Sequence, residues 1–129
     1  MRDTRPVVAV VDDDPRLLDS LGDLLESAGY AARGYPSAGA LLRGGLGGLD
    51  LLITDIGMPG MDGLELRELV RAARPELPVF LITGRQEIAD RERARGGGVL
   101  FAKPFDAGAL LATVGKALGS SRREDEHES

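Results

Sequence analysis

A chain of 129 residues has single-domain size and is long enough to bury a core without a disulfide framework or a structural metal. Apolar residues at 43% and charged residues at 29% make an ordinary water-compatible mixture, and aromatics at only 4% leave the core to Leu, Val, Ile and Ala. The lack of cysteine and the single His127 exclude a disulfide scaffold, thiol catalysis and a cysteine or histidine zinc site, and a formal charge of −5 argues against nucleic-acid binding by counterion release.

The amino end lacks the basic, apolar and small-residue zones of a signal peptide, and no apolar run approaches the length of a membrane span. A cytoplasmic chain with no membrane attachment is the expectation. Val7–Val11 is a run of aliphatic residues without polar alternation, the pattern of a strand buried on both faces. Asp14 and Pro15 then suit the cap and first turn of a helix whose Leu17, Leu18, Leu21, Leu24, Leu25 and Ala28 share one face, and Gly29 stops it. Ala31–Tyr35, interrupted by Arg33 and Gly34, reads as an edge strand, and Ser37 caps a short helix through Leu42 that ends at Gly44 and Gly45.

Residues 51–54 form a second buried strand, followed by a helix marked by Leu66, Leu69, Val70 and Ala73 and closed before Pro75. Val79–Thr83 is a third such strand. Segment 86–95 carries Glu87, Asp90, Arg91, Glu92, Arg93 and Arg95, so only Ile88, Ala89 and Ala94 are left to face a core, and a loosely anchored helix is expected. Residues 99–102 give a last, weaker strand, and Leu110, Leu111, Val114 and Leu118 a last helix. Residues 121–129, SRREDEHES, contain no apolar side chain and are expected to be a disordered polar tail on a domain spanning 1–120.

Strands alternating with helices imply right-handed crossovers and a parallel sheet covered on both faces, in which ligands bind beyond the carboxyl ends of the strands. Those ends carry Asp12, Asp13 and Asp14, then Asp55, then Thr83, then Lys103. Taken singly, the acidic triplet would serve as a helix cap, Asp55 as a turn residue and Lys103 as a solvated charge. Four strand ends delivering carboxylates, a hydroxyl and an ammonium to one rim are hard to obtain from loop composition. Crowded carboxylates must hold a proton or bind a cation, and oxygen-only ligands beside a phosphate partner suit Mg²⁺. Asp55 would then be a nucleophile, with Lys103 stabilising the phosphoryl oxygens.

The motifs VVDDD at 10–14, DIGMPGMDG at 55–63, ITG at 82–84 and KPF at 103–105 resemble the receiver domains of bacterial two-component response regulators, and the resemblance spans residues 7–118. It implies an α/β fold, a doubly wound five-stranded parallel sheet of flavodoxin-like order 2-1-3-4-5 with helices on both faces. It also implies that Asp55 is the phosphoacceptor, and that Asp13, the carbonyl of Gly57 and Asp55 bind Mg²⁺, with Asp12 acting largely through water. Thr83 corresponds to the hydroxyl that turns toward the phosphoryl group, Lys103 to the lysine that pairs with it, and Phe101 to the switch aromatic, while the bond before Pro104 is expected to be cis.

Such a protein is a signal carrier and not a turnover enzyme. Its implied partners are a sensor histidine kinase or phosphotransfer protein, an effector protein and, after phosphorylation, a second copy of itself. No helix-turn-helix follows the matched region, so direct nucleic-acid binding by this chain is not expected. The interval between Thr83 and Lys103 is shorter than the family pattern, which bears on the helix between them and hence on partner choice. Two competing readings are a phosphorylation-independent interaction module with the same fold and a phosphatase with an aspartyl intermediate.

Overall fold

The computed structural model describes residues 4–96 and 98–128, with side chains described through residue 119. Strands and helices alternate as β1 (Val7–Val11), α1 (Pro15–Ser27), β2 (Ala31–Tyr35), α2 (Ala38–Gly44), β3 (Leu51–Asp55), α3 (Gly63–Ala73), β4 (Val79–Thr83), α4 (Gln86–Ala94), β5 (Leu100–Ala102) and α5 (Ala107–Glu128). All strand pairs are parallel, as the alternation of strands and helices led one to expect, and the order is β2-β1-β3-β4-β5, as the resemblance implied. The expected polar tail, 121–129, coincides with the end of α5 up to Glu128. Its side chains, and Ser129 altogether, lie outside the described residues. Among the described residues no helix is long and apolar enough to cross a membrane.

Local signals explain where the elements begin. Asp14 accepts a hydrogen bond from the Arg16 backbone N–H at the start of α1, and Ser37 accepts one from Ala40 at the start of α2. A full capping box opens α3: the Asp62 carboxylate accepts from Glu65 N at 2.9 Å while the Glu65 carboxylate accepts from Asp62 N at 3.4 Å. Gly45, at φ 84°, stops α2, which runs two residues beyond the expected Leu42 because Gly44 still accepts helical geometry. Segment 86–94 is a regular helix, although Arg85 at its amino end contributes no side-chain cap.

The period-two pleat sorts the sheet residues into two cores. Val8, Val10, Leu51, Ile53, Phe80 and Ile82 pack on Leu21 and Leu25 of α1 and Leu110 and Val114 of α5. Ala9, Val11 and Leu52 face the opposite way, onto Ala38 and Leu41 of α2 and Leu66 and Val70 of α3. Each of the fully buried Leu, Ile and Val side chains contributes about 1.5–3 kcal/mol relative to exposure. Among the described residues α4 contributes one fully buried apolar side chain, Ala89, and Ile88 is half-buried.

Several side chains depart from the faces read in the sequence. Ala28, Leu69, Ala73 and Ala94 face solvent, whereas Arg67 of α3 and Glu92 of α4 are buried. The two buried charges face each other between α3 and α4, Arg67 Nη2 lying 3.6 Å from Glu92 Oε2, so the inward face of α4 carries a carboxylate where the apolar residues alone pointed to Ala94.

Away from the rim, Arg74 ties down the connection from α2 to β3. Its Nη1 donates to the carbonyls of Leu46 at 2.8 Å and Leu49 at 2.9 Å, and its Nε to Glu76 at 2.7 Å. Arg74→Ala is expected to lower stability by about 1–2 kcal/mol, since two carbonyls lose their donor. Urea unfolding checks this, and phosphoryl uptake from acetyl phosphate should be unchanged because Arg74 lies at the amino ends of the strands.

Candidate functional site

Strand register brings the polar residues together. Val11 pairs with Thr54, so the next residue pair along the rim is Asp12 and Asp55; Asp55 pairs with Ile82, and Thr83 with Ala102, immediately before Lys103. In a parallel sheet all these strands end on the same side, and their last residues form one rim. Asp13, Asp55, Gly57, Thr83 and Lys103 line a single open cleft there, joined by Ile56, Met58, Pro59, Asp62, Gly84, Arg85 and Ile88.

Asp12 sits beneath the cleft and is fully buried. Its Oδ1 accepts from Asp14 N at 2.9 Å, and its Oδ2 accepts from Lys103 Nζ at 3.0 Å. Lys103 Nζ also lies 3.6 Å from Asp55 Oδ1, so one ammonium serves two carboxylates. Burial pulls the Lys103 pKa down, but the hydrogen bond to Asp12 and the charges of Asp55 and Asp12 prevail and raise it above the usual lysine value. Asp55 is pushed up from 3.8 to about 6, first by burial and then by the Asp12 charge, with Lys103 opposing and Asp13 adding a further upward push.

The ligating oxygens of Asp12, Asp13 and Asp55 lie within 4.8 Å of one another. Among the described residues, three carboxylates gather here with one lysine against two of them, an excess of negative charge. The donor set is all oxygen, with one member exposed to solvent, and it therefore fits a hard divalent ion that retains water ligands.

The remaining candidates fall around this centre. Thr83 is buried and its Oγ1 accepts from Arg85 N at 3.1 Å. Gly57 is exposed at the cleft wall. Phe101 is half-buried beneath the rim, its ring 6.3 Å from that of Phe80 and 6.4 Å from that of Phe105. The Lys103–Pro104 peptide is cis.

Sequence reasoning missed two features. Asp62 reaches the cleft wall while capping α3, and Glu92 is buried although charged; its place three residues after Ala89, on the same helical face, was the available signal.

Residues 8–115 match the family described as the response regulator receiver domain. Similar proteins include the transcriptional regulatory protein FixJ of Azorhizobium caulinodans, 37% identical over 125 residues that cover 94% of this chain and 59% of FixJ. The C4-dicarboxylate transport transcriptional regulatory protein DctD of Rhizobium meliloti is 35% identical over 127 residues, covering 96% of this chain and 28% of DctD. This chain thus spans little more than half of the one relative and under a third of the other. A CheY-like response regulator receiver domain from Methanospirillum hungatei superposes with a TM-score of 0.81 at 28% identity, over 94% of this chain and 99% of that one.

Proposed function

The chain belongs to the response regulator receiver family, and we propose that it is a cytoplasmic switch that accepts a phosphoryl group on Asp55 from a histidine kinase or phosphotransfer protein. The observation that carries this reading is the convergence of Asp12, Asp13 and Asp55 around one point with Lys103 against two of them. Residues 1–120 form the receiver unit in this proposal, with 121–129 a polar appendage.

Asp13, Asp55 and the Gly57 carbonyl would hold Mg²⁺, with Asp12 acting through water. The ion supplies positive charge that offsets the crowded carboxylates and the phosphoryl oxygens. An Asp55 carboxylate oxygen forms a bond to phosphorus as the bond to the donor's leaving group breaks, giving an acyl phosphate. Burial and the Asp12 charge push the Asp55 pKa up to about 6, and the ionised carboxylate is the form that attacks. Lys103, already 3.6 Å from Asp55, pairs with the new charge, and Thr83 turns its hydroxyl toward it. Phe101 follows into the vacated space, and the altered surface changes affinity for an effector or for a second copy of the chain. Nothing in this scheme turns over a substrate beyond slow loss of the protein's own phosphoryl group.

Incubation with acetyl phosphate and Mg²⁺, read by intact mass, should show a gain of a single phosphoryl group that is acid-stable and base-labile. Asp55→Ala should show none. An adduct that persists in Asp55→Ala removes the assignment of the phosphoacceptor, and one that forms equally well with excess chelator removes Mg²⁺ from the mechanism.

A further inference from the structure

Strand β2 lies at an edge of the sheet, with β1 on one side only. Ala31 N donates to the Pro6 carbonyl at 2.8 Å and Asp12 N donates to the Tyr35 carbonyl at 3.1 Å, so Ala31, Arg33 and Tyr35 turn their backbone polar groups toward β1. By the alternation of the ladder, Ala32 and Gly34 turn theirs outward, where a further strand could pair. The open stretch is short. On one flank the Tyr30 N–H already donates to the Leu25 carbonyl at 3.1 Å, and on the other Pro36 has no N–H.

The outward Ala32 N–H is covered from α1. Glu26, in the last turn of that helix, accepts it on Oε2 at 2.9 Å, and Arg5 Nη1 donates to Glu26 Oε1 at 2.8 Å. A carboxylate is poorly placed for the helix itself there, because the carboxyl end of α1 is the negative end of its dipole and its last turn carries no basic residue. What Glu26 secures is the edge of the sheet. Arg33, exposed between Ala32 and Gly34, is a second obstacle. Two β2 strands meeting antiparallel could set Ala32 of each opposite Gly34 of the other, exchanging N–H···O bonds, and that register puts the two Arg33 side chains face to face as like charges. Sliding by two residues brings Tyr30 or Pro36 into the ladder, where no N–H is free to donate. Gly34, without a side chain, lets a second backbone come close.

We propose that the β2 edge is a strand-pairing surface for a second copy of this chain, held shut by the Arg5–Glu26 clasp on Ala32 and by the charge of Arg33. Pairing there would use none of the residues that line the cleft, so it would join copies whatever the state of Asp55. The guard thus leaves association between copies to other surfaces. The inference stands independently of the phosphoacceptor reading.

Sedimentation equilibrium of the full chain in chelator measures self-association, and hydrogen exchange locates it. In the wild type the Ala32 amide should exchange far more slowly than that of Gly34. Glu26→Ala combined with Arg33→Thr removes both obstacles and supplies a β-branched cross-strand pair; the association constant should rise by about tenfold or more, and both amides should become protected as the protein concentration increases. Adding Gly34→Pro should return association to the wild-type level, since a proline on the outward side of an edge strand leaves the pairing with β1 intact.

If association does not rise in the double variant, the proposal is refuted. A rise that survives Gly34→Pro, or that leaves the Ala32 and Gly34 amides unprotected, would assign the contact to another face and also overturn it. Should urea unfolding show that Gly34→Pro does not fold, protection of those two amides in the double variant decides alone. Equal exchange of Ala32 and Gly34 in the wild type would remove the clasp.

Discussion

Gly63→Ala is expected to destabilise the protein by about 3 kcal/mol or more. Gly63 opens α3, is buried, and donates its N–H to the Ile56 carbonyl at 2.9 Å. A methyl group there would overlap the carbonyl oxygen of Asp55 and stand 2.8 Å from Ile56 Cα. These neighbours are backbone atoms at the end of the central strand and cannot rotate aside as a side chain would. Either α3 retreats, losing the contacts of Leu66 and Val70, or the end of β3 moves and carries the Asp55 carboxylate with it. The matched control is Gly57→Ala: a methyl at that exposed position meets nothing within 4 Å, and its effect should stay within about 0.5 kcal/mol. Urea unfolding of the two variants decides the matter. Equal midpoints would show that the loop after β3 is far more pliable than its packing implies.

Asp55→Asn should stabilise the metal-free protein at pH 8 by about 1–2 kcal/mol, a value already reduced for screening at the open side of the cleft. The folded protein binds the Asp55 proton more tightly than the unfolded chain does, with a pKa of about 6 against 3.8. The stabilisation from that proton is therefore fully present below pH 3.8 and is lost as the pH rises through about 6. At pH 8 the wild type carries an ionised, buried Asp55 next to Asp12, and the amide removes that charge. In the presence of chelator, the thermal midpoint of Asp55→Asn should exceed that of the wild type by roughly 4–10 °C at pH 8 and by progressively less toward pH 5. Added Mg²⁺ should close the gap by stabilising the wild type preferentially. A difference between the two proteins that does not vary from pH 5 to pH 8 would mean that Asp55 titrates as an ordinary surface carboxylate.

The two predictions draw on different levels of information. That Asp55 ends a strand beside Asp12 and Asp13 follows from apolar runs and their order. The upward push on its pKa follows only from how deeply burial and the Asp12 charge act on it, with Lys103 3.6 Å away opposing them. The capping box of Asp62 and Glu65 can be read in the chain, but the contact that forbids a side chain at Gly63 cannot, because it depends on how closely α3 abuts β3. Reading α4 by its apolar residues identified Ala89 correctly and Ala94 wrongly, and passed over Glu92, since a periodicity of hydrophobic residues is blind to a buried charge whose partner lies on another helix.

The sequence by itself determined the five strands, the alternation with helices and the identities of the polar residues at the strand ends. Those features are encoded locally: strands covered on both faces need unbroken apolar runs, helices need caps and a 3.6-residue period, and right-handed crossovers leave little freedom of topology. The tertiary structure alone decided which carboxylate is buried under Lys103 and that Glu92 of α4 faces Arg67 of α3 at 3.6 Å, where only Ile88, Ala89 and Ala94 were read as able to face a core. Each of these is a distance between side chains or backbone groups on separate elements. Such distances are set by the packing of the whole molecule, and no local pattern of residues contains them.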